Sequence, residues 1–383
     1  MRFSQRLHWD TRPNRLTELL ARKRMEGAMI LDLTESNPTN AELDYPAEAI
    51  SQALADSRAL HYEPTPKGMR SAREAIAVRY GGIDPERILL TASTSEAYSY
   101  LFKLLCDPDD EVLAPRPSYP LFEFLAALDS VRAVQYPLFY HHGWMLDAAA
   151  LESLITPRTR AIIVVNPNNP TGSYLKQDEL KVLAGFGLPI ISDEVFADYP
   201  FADDAAKVST LAGADNVPSF SLSGLSKVSG LPQMKLGWII ANGPRMSGAL
   251  ARLELIADTF LSVSSPVQLA LPTLLTAADS IQQQIRSRTI SNLQYLREQI
   301  RGKPVSLLEV EGGWYATLHV PRTRTEEEWV LLLLEKQNTL VQPGFFYDFD
   351  QEAFLVLSLL TPEPIFRDGI DRLNNTIVSS IAK

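Results

Sequence analysis

The residue in this chain best suited to covalent chemistry is Lys227. It lies in SLSGLSKVSGLPQMKLGW, Ser221 to Trp238. The stretch reads as an apolar strand, a lysine set among the small residues Gly224 and Ser226, a glycine-punctuated loop, and a second apolar strand. A lysine on a strand edge among small residues suits Schiff-base formation. Its amine must reach a carbonyl and give up its proton, and both desolvation and a neighbouring cation lower a lysine pKa. Lys235, eight residues on, could sit near an anionic group of the same ligand. The competing reading is an ordinary solvated surface lysine.

Four further stretches carry polar or aromatic groups where strands end. Ser93-Thr94-Ser95 follows the apolar run RILLTA and opens a helix. Free N–H groups, hydroxyls and the positive end of the helix dipole together make an anion site, although Ser93 alone is also an ordinary N-cap. AIIVV (161–165) reads as a buried parallel strand, and the Asn-Pro-Asn-Asn-Pro-Thr-Gly that follows forces a rigid turn containing Asn169. LPIISDEVF is a buried strand ending in acid at Asp193, which could equally be a helix cap. Tyr119, after the strand EVLAPRP, is either a packing aromatic or a platform for a planar ligand.

Gly224-Leu225-Ser226-Lys227, Gly230-Leu231 and Lys235-Leu236-Gly237 resemble the lysine signature of class I/II aminotransferases, pyridoxal-phosphate (PLP) enzymes of fold type I. Gln233 departs from a usual small residue, and Lys235 stands where arginine is usual. The resemblance implies that Lys227 holds PLP as a Schiff base beside Ser226, with Lys235, Ser93, Thr94 and Ser95 around the phosphate. It implies that Tyr119 stacks on the ring, Asn169 bonds the phenolic oxygen and Asp193 pairs with the ring nitrogen to sustain an electron sink. Phe196 stands where a tyrosine often donates to that oxygen, which leaves the phenolate more dependent on Asn169. Tyr62, with Gly68 and Arg73, is similar to the block whose tyrosine reaches across a homodimer interface to the neighbour's cofactor. Its alternative is an interface or core aromatic. Ser36-Asn37-Pro38 would approach substrate, or is a capping turn.

Behind these residues, strands alternate with helical segments from about 88 to 240. That pattern means a mostly parallel sheet with helices on both faces, binding ligands at one strand edge. Residues 244–301 read as helical, and SIQQQIRSRTISNLQYLREQI suits a long helix bridging two bodies. At 383 residues, two domains are expected. By resemblance they are an N-terminal arm (1–45) that joins a small α+β C-terminal domain (281–383), and a large PLP-binding domain (46–280).

Composition narrows the function classes. The chain is 45% hydrophobic and 21% charged, with net charge −10, which argues against nucleic-acid or anionic-membrane partners. The one cysteine, Cys106, reads as a core thiol. The five histidines show no metal-ligand spacing. No stretch has a signal-peptide core or the length to span a bilayer, so a cytoplasmic protein is expected.

The resemblance breaks at FLVLSLL (354–360). Val356 stands where the family carries an arginine that forks onto the substrate carboxylate. Either Arg70, Arg116, Arg12 or Arg15 supplies the fork from elsewhere, the reading taken here, or the substrate is not an ordinary amino acid. The expected activity is transamination (EC 2.6.1 type) between an amino acid and a 2-oxo acid in a homodimer with shared active sites. The alternative on the same fold is a PLP-dependent lyase or cyclising synthase. A ligand-sensing domain of a transcription regulator is disfavoured by the charge and by the lack of a basic helix-turn-helix portion.

Overall fold

The protein is described by a computed structural model covering all residues except His8, Arg245, Ala382 and Lys383. His8, one of the histidines weighed above, therefore lies outside the described residues. Along the chain the strands are β1 (Leu31–Asp32), β2 (Ile88–Thr91), β3 (Glu111–Arg116), β4 (Arg132–Tyr140), β5 (Trp144–Leu146), β6 (Thr159–Val165), β7 (Ile190–Asp193), β8 (Ser219–Gly224), β9 (Gly237–Asn242), β10 (Ser306–Leu307), β11 (Tyr315–His319), β12 (Thr339–Leu340), β13 (Gln342–Pro343) and β14 (Phe354–Ser358).

The apolar runs of β2, β6, β7 and β9 are buried on both faces, as runs without polar alternation must be. They lie in a sheet ordered β2-β9-β8-β7-β6-β3-β4-β5. From β8 to β4 the strands run parallel; β9 is antiparallel to both neighbours, and β5 to β4. Helices Thr94–Leu105 and Met246–Phe260 cover one face, where Leu101 and Leu253 pack on Ile163, Ile191 and Phe220. On the other face Leu271 and Leu274, from the long helix Ser265–Ile300, pack on Ile88, Leu90 and Trp238.

A second, antiparallel sheet, β10-β11-β14-β13, is covered by helices Glu326–Gln337 and Glu363–Ile381. Trp329, Leu333, Phe366 and Leu373 fill its core. The N-terminal segment joins this body, because β1 pairs in parallel with β12, Leu31 opposite Thr339. The long helix serves both bodies. Its Leu293 and Leu296 belong to the core of the small sheet, and its middle residues Ile281 and Ile285 enter a cluster between the two, with Phe196, Trp314, Tyr315, Tyr347 and Val356.

The C-terminal ends of β3, β6, β7 and β8 fall on one edge of the main sheet and bring Arg116, the asparagine turn, Asp193 and the Lys227 turn together there. The turn Asn166–Gly172 is braced from the small body. Gly172 adopts φ +70°, and an added Cβ there would stand 2.6 Å from the Gly312 carbonyl oxygen. Gly172→Ala should therefore lower the melting temperature by roughly 4 °C or more, read by circular dichroism. An unchanged transition would show that the 310–313 segment yields freely.

Candidate active site

Lys227 does not sit on a strand edge. It lies in a single helical turn, Leu225–Val228, directly after β8. The turn starts where β8 and β9 approach most closely. Gly224 faces Gly237 in register, and a Cβ on Gly224 would come within 2.9 Å of the Leu236 carbonyl oxygen. Three side chains then clamp the turn through its carbonyls. The Tyr199 hydroxyl donates to Lys227 O (2.5 Å), Gln282 Nε2 to Val228 O (2.8 Å), and the Tyr45 hydroxyl to Gly230 O (2.8 Å). These three residues were not evident in the sequence, because each lies far along the chain from the turn it holds.

The Lys227 amine points over aromatic rings. Nζ is 4.7 Å from the Trp314 ring centre and 5.4 Å from that of Phe196. Burial lowers its pKa to about 8, against the pull of the Asp193 carboxylate. Asp193, at the end of β7, is itself pushed up to about 6 by burial, against donors Val195 N (3.3 Å) and the Tyr98 hydroxyl (3.1 Å) and the nearby Lys227. Lys227's folded pKa is lower than its unfolded one. Its cost to folding is therefore full below pH 8 and fades as pH rises from about 8 to 10.5. Asp193 has the opposite sign: its cost is full above about pH 6 and fades as pH falls toward 3.8.

The asparagine turn separates structure from chemistry. Asn166 is fully engaged, donating to Val208 O and accepting from Leu175 N. Asn168 accepts from Ser118 Oγ and donates to Pro117 O and Thr171 Oγ1. Asn169 is buried, yet its side-chain oxygen has no hydrogen-bond partner among the described residues. Tyr119 is 40% exposed with its edge toward Phe122, and its pKa is raised by burial and by nearby Tyr315 and Asp193.

At the start of helix Thr94–Leu105, Ser93 is the N-cap, its hydroxyl accepting from Glu96 N at 3.1 Å. That leaves the N–H groups and hydroxyls of Thr94 and Ser95 for an anion. Lys235 is exposed, in a left-handed conformation (φ 49°), two residues before Gly237, which pairs with both Gly224 and Thr91. It thus stands between the Lys227 turn and the Ser93 turn. Ser226 is half-buried beside Lys227.

Tyr62 is 70% exposed, so it is not a core aromatic of this chain. Ser36 lies beside the buried Tyr315 hydroxyl. Asn37 caps the short turn Pro38–Asn40, accepting from Thr39 N and Oγ1.

The structure corrects the expectation of a ready fork at three of the four arginines. Arg70 is exposed on its helix and engages Glu74 (2.7 Å) and Glu86 (3.6 Å). Arg12 engages Asp10, and Arg15 engages Glu327. Each is held at the surface by a carboxylate close in sequence or on the small body. Arg116 ends β3 and pairs with Asp350. Val356 is buried in the aromatic cluster and carries no charge to it.

A buried amine, a buried carboxylate, an unpartnered amide oxygen, a half-exposed aromatic and a helix start converge here. This donor set fits a planar aldehyde with a ring nitrogen and an anionic tail.

Comparison with known proteins agrees with that fit. The profile of the family "Aminotransferase class I and II" matches residues 28–365. The chain is 31% identical over 340 residues to the glutamate-pyruvate aminotransferase AlaA of Escherichia coli, covering 84% of each. It is 30% identical to an alanine aminotransferase of Mycobacterium tuberculosis, covering 94% of this chain and 88% of the relative. A crystal structure of an Escherichia coli aminotransferase superposes with a TM-score of 0.86 at 25% identity, over 98% of both chains.

In the cofactor-free protein, Lys227 should react with trinitrobenzenesulfonate with a midpoint near pH 8, read at that residue by mass spectrometry. Asp193→Asn should move the midpoint lower, since an anion favouring the ammonium is gone. A midpoint near the ordinary lysine value would show a solvated amine.

Proposed function

The chain belongs to the class I and II aminotransferase family, and we propose that its own residues divide the family's chemistry as follows. The protein is a PLP-dependent transaminase that moves an amino group from an amino acid to a 2-oxo acid. When bound, PLP supplies a carbonyl for the amino group and a ring that accepts electrons from the substrate α-carbon. Lys227 is the covalent anchor and, once freed by substrate, its Nζ moves the proton at the α-carbon. Asp193, ionised above about pH 6, would face the ring nitrogen and favour its protonated form. Asn169 would meet the phenolic oxygen, and Tyr119 would stack on the ring. Thr94, Ser95, Ser226 and Lys235 would hold the phosphate. Ser93 acts on the phosphate through the helix start that it caps, because its own hydroxyl is engaged.

The observation that carries this assignment is the buried Lys227–Asp193 pair, two opposite charges that each shift the other, beside an unpartnered Asn169 oxygen. Ser36 and Asn37 line the substrate side. Residues 1–45 and 281–383 act as one small body against 46–280, with the long helix crossing between them. The working state is a homodimer in the cytoplasm. Leu60, Tyr62, Phe260 and Leu261 are exposed, which supports their burial against a second copy, where Tyr62 would reach the neighbour's cofactor. Among the described residues no helix is long and apolar enough to cross a membrane.

Glutamate with pyruvate is the first substrate pair to assay, given the names of the relatives. Lys227→Ala should lose turnover by about a thousandfold or more. Retained exchange in that variant, or ammonia release by the wild type without any oxo acid, would overturn the assignment. Sedimentation should show a dimer. Tyr62→Phe should release cofactor more readily into phosphate buffer while the dimer persists.

A further inference from the structure

Both substrates of a transaminase carry a carboxylate next to the reacting carbon, and an unpaired carboxylate is costly to bury. The surroundings of the Lys227 amine offer it nothing. Nζ lies over Trp314 and Phe196, and these rings pack with Tyr315, Tyr347 and Val356 in one cluster. Val356, on β14 opposite Thr317 and Gln342, is 1% exposed. The buried charge that faces Lys227 is Asp193, of the wrong sign. A cation has to come from another element.

The main sheet supplies one. In register, Leu113 on β3 pairs with Ile162 on β6, Ile162 with Ile190 on β7, and Val165 with Asp193. Carrying the β3–β6 register three residues further brings Arg116 level with Val165, the partner of Asp193. Residues level in neighbouring parallel strands share a face, so Arg116 and Asp193 rise from the same side, about 10 Å apart across two strand spacings.

The turn after Arg116 is pinned to both walls of the site. Ser118 N donates to Tyr347 O (3.1 Å), and Ser118 Oγ to Asn168 Oδ1 (2.7 Å). Arg116 Nε is buried with no hydrogen-bond partner among the described residues. Its terminal nitrogen touches Asp350, which lies between β13 and β14, two residues beyond an aspartate (Asp348) that accepts from Gln135 on β4. The guanidinium is thus at the seam of the two bodies, half-exposed, with one donor idle.

We propose that Arg116 reads the substrate carboxylate. Asp350 holds the guanidinium in place and gives way to the incoming acid. The exchange swaps one carboxylate for another, so no net charge is buried, and a substrate carboxylate can engage both the terminal nitrogen and the idle Nε as a fork. This rests on the transaminase reading above. Arg288 on the long helix is the competitor. It donates to Ala41 O (3.1 Å) and faces the N-terminal segment rather than the β3 edge.

The test is binding of propionate and of an amino acid to the PLP-loaded protein, read by calorimetry and by the cofactor's visible band, beside steady-state kinetics. Arg116→Gln should weaken propionate about 30-fold or more and raise the KM for both substrates similarly, the loss expected when a carboxylate's charge partner is removed. Arg116→Lys should recover only part, since an ammonium cannot fork. Asp350→Asn should tighten propionate several-fold, which a purely structural role for the ion pair would not do. Its melting temperature checks folding independently. Wild-type propionate affinity in Arg116→Gln, or loss in Arg288→Gln instead, would overturn the proposal. So would a wild type that binds no carboxylate. Failure of the transaminase reading shows separately, as no amino exchange in a wild type that still binds propionate through Arg116.

Discussion

An amine and a carboxylate that water would ionise fully lie near enough to act on each other away from water, and the packing around them serves that proximity. Desolvation acts on Lys227 and Asp193 in opposite senses, bringing one down to about 8 and the other up to about 6. The two values come within reach of neutral pH, where a group can both hold and release a proton. Isolated burial of either charge would be far more costly than the pair. Each residue is therefore part of the other's environment as much as the fold is.

Holding the pair requires that the backbone beneath Lys227 not move. A single helical turn has little stability of its own. Here the carbonyls of Lys227 and Val228 receive hydrogen bonds from Tyr199 and Gln282, and that of Gly230 just beyond the turn from Tyr45. These come from the loop after β7, from the long helix and from the N-terminal segment. Three distant parts of the chain thus converge on one turn, and the long helix that carries Gln282 also packs into both cores. Any sliding of the small body over the large one is felt at the lysine.

Much of this was legible in the sequence. The apolar strands and the polar turns that end them were plain, because buried parallel strands leave a distinctive unbroken apolar run. Small neighbours single out Lys227 in the sequence, but its helical turn reads as a strand edge, since four residues are too few to show a period. Arg70, Arg12 and Arg15 were offered as forks because a sequence displays charge but not partnership. Glu74, Asp10 and Glu327 decide those cases, and the last lies 312 residues away from its arginine. Trp314 and Val356, which shape the wall over the amine, belong to a cluster assembled from both bodies, so no local pattern announces it.

Asp193, Asn169 and Arg116 differ from their neighbours by incomplete hydrogen bonding. Asp193 and Glu194 are adjacent, both buried and both carboxylic. Glu194 is pushed up to about 7 by burial, yet it accepts from Leu211 N, Thr210 Oγ1 and Ser192 Oγ, which tie the 210–211 loop to the sheet. Asp193 has only the Tyr98 hydroxyl and a long contact from Val195 N. Successive residues leaving a strand point to opposite faces, so one acid is given to structure and the next to the edge where ligands bind. The same division runs through Asn166, Asn168 and Asn169, of which the last alone keeps a buried oxygen without a donor. It also runs through the arginines, where Arg116 keeps an idle Nε. Buried polar atoms are rarely left unpaired in a folded chain. Asn169 Oδ1 and Arg116 Nε, two such atoms on one sheet edge, are where a bound molecule would complete the bonding.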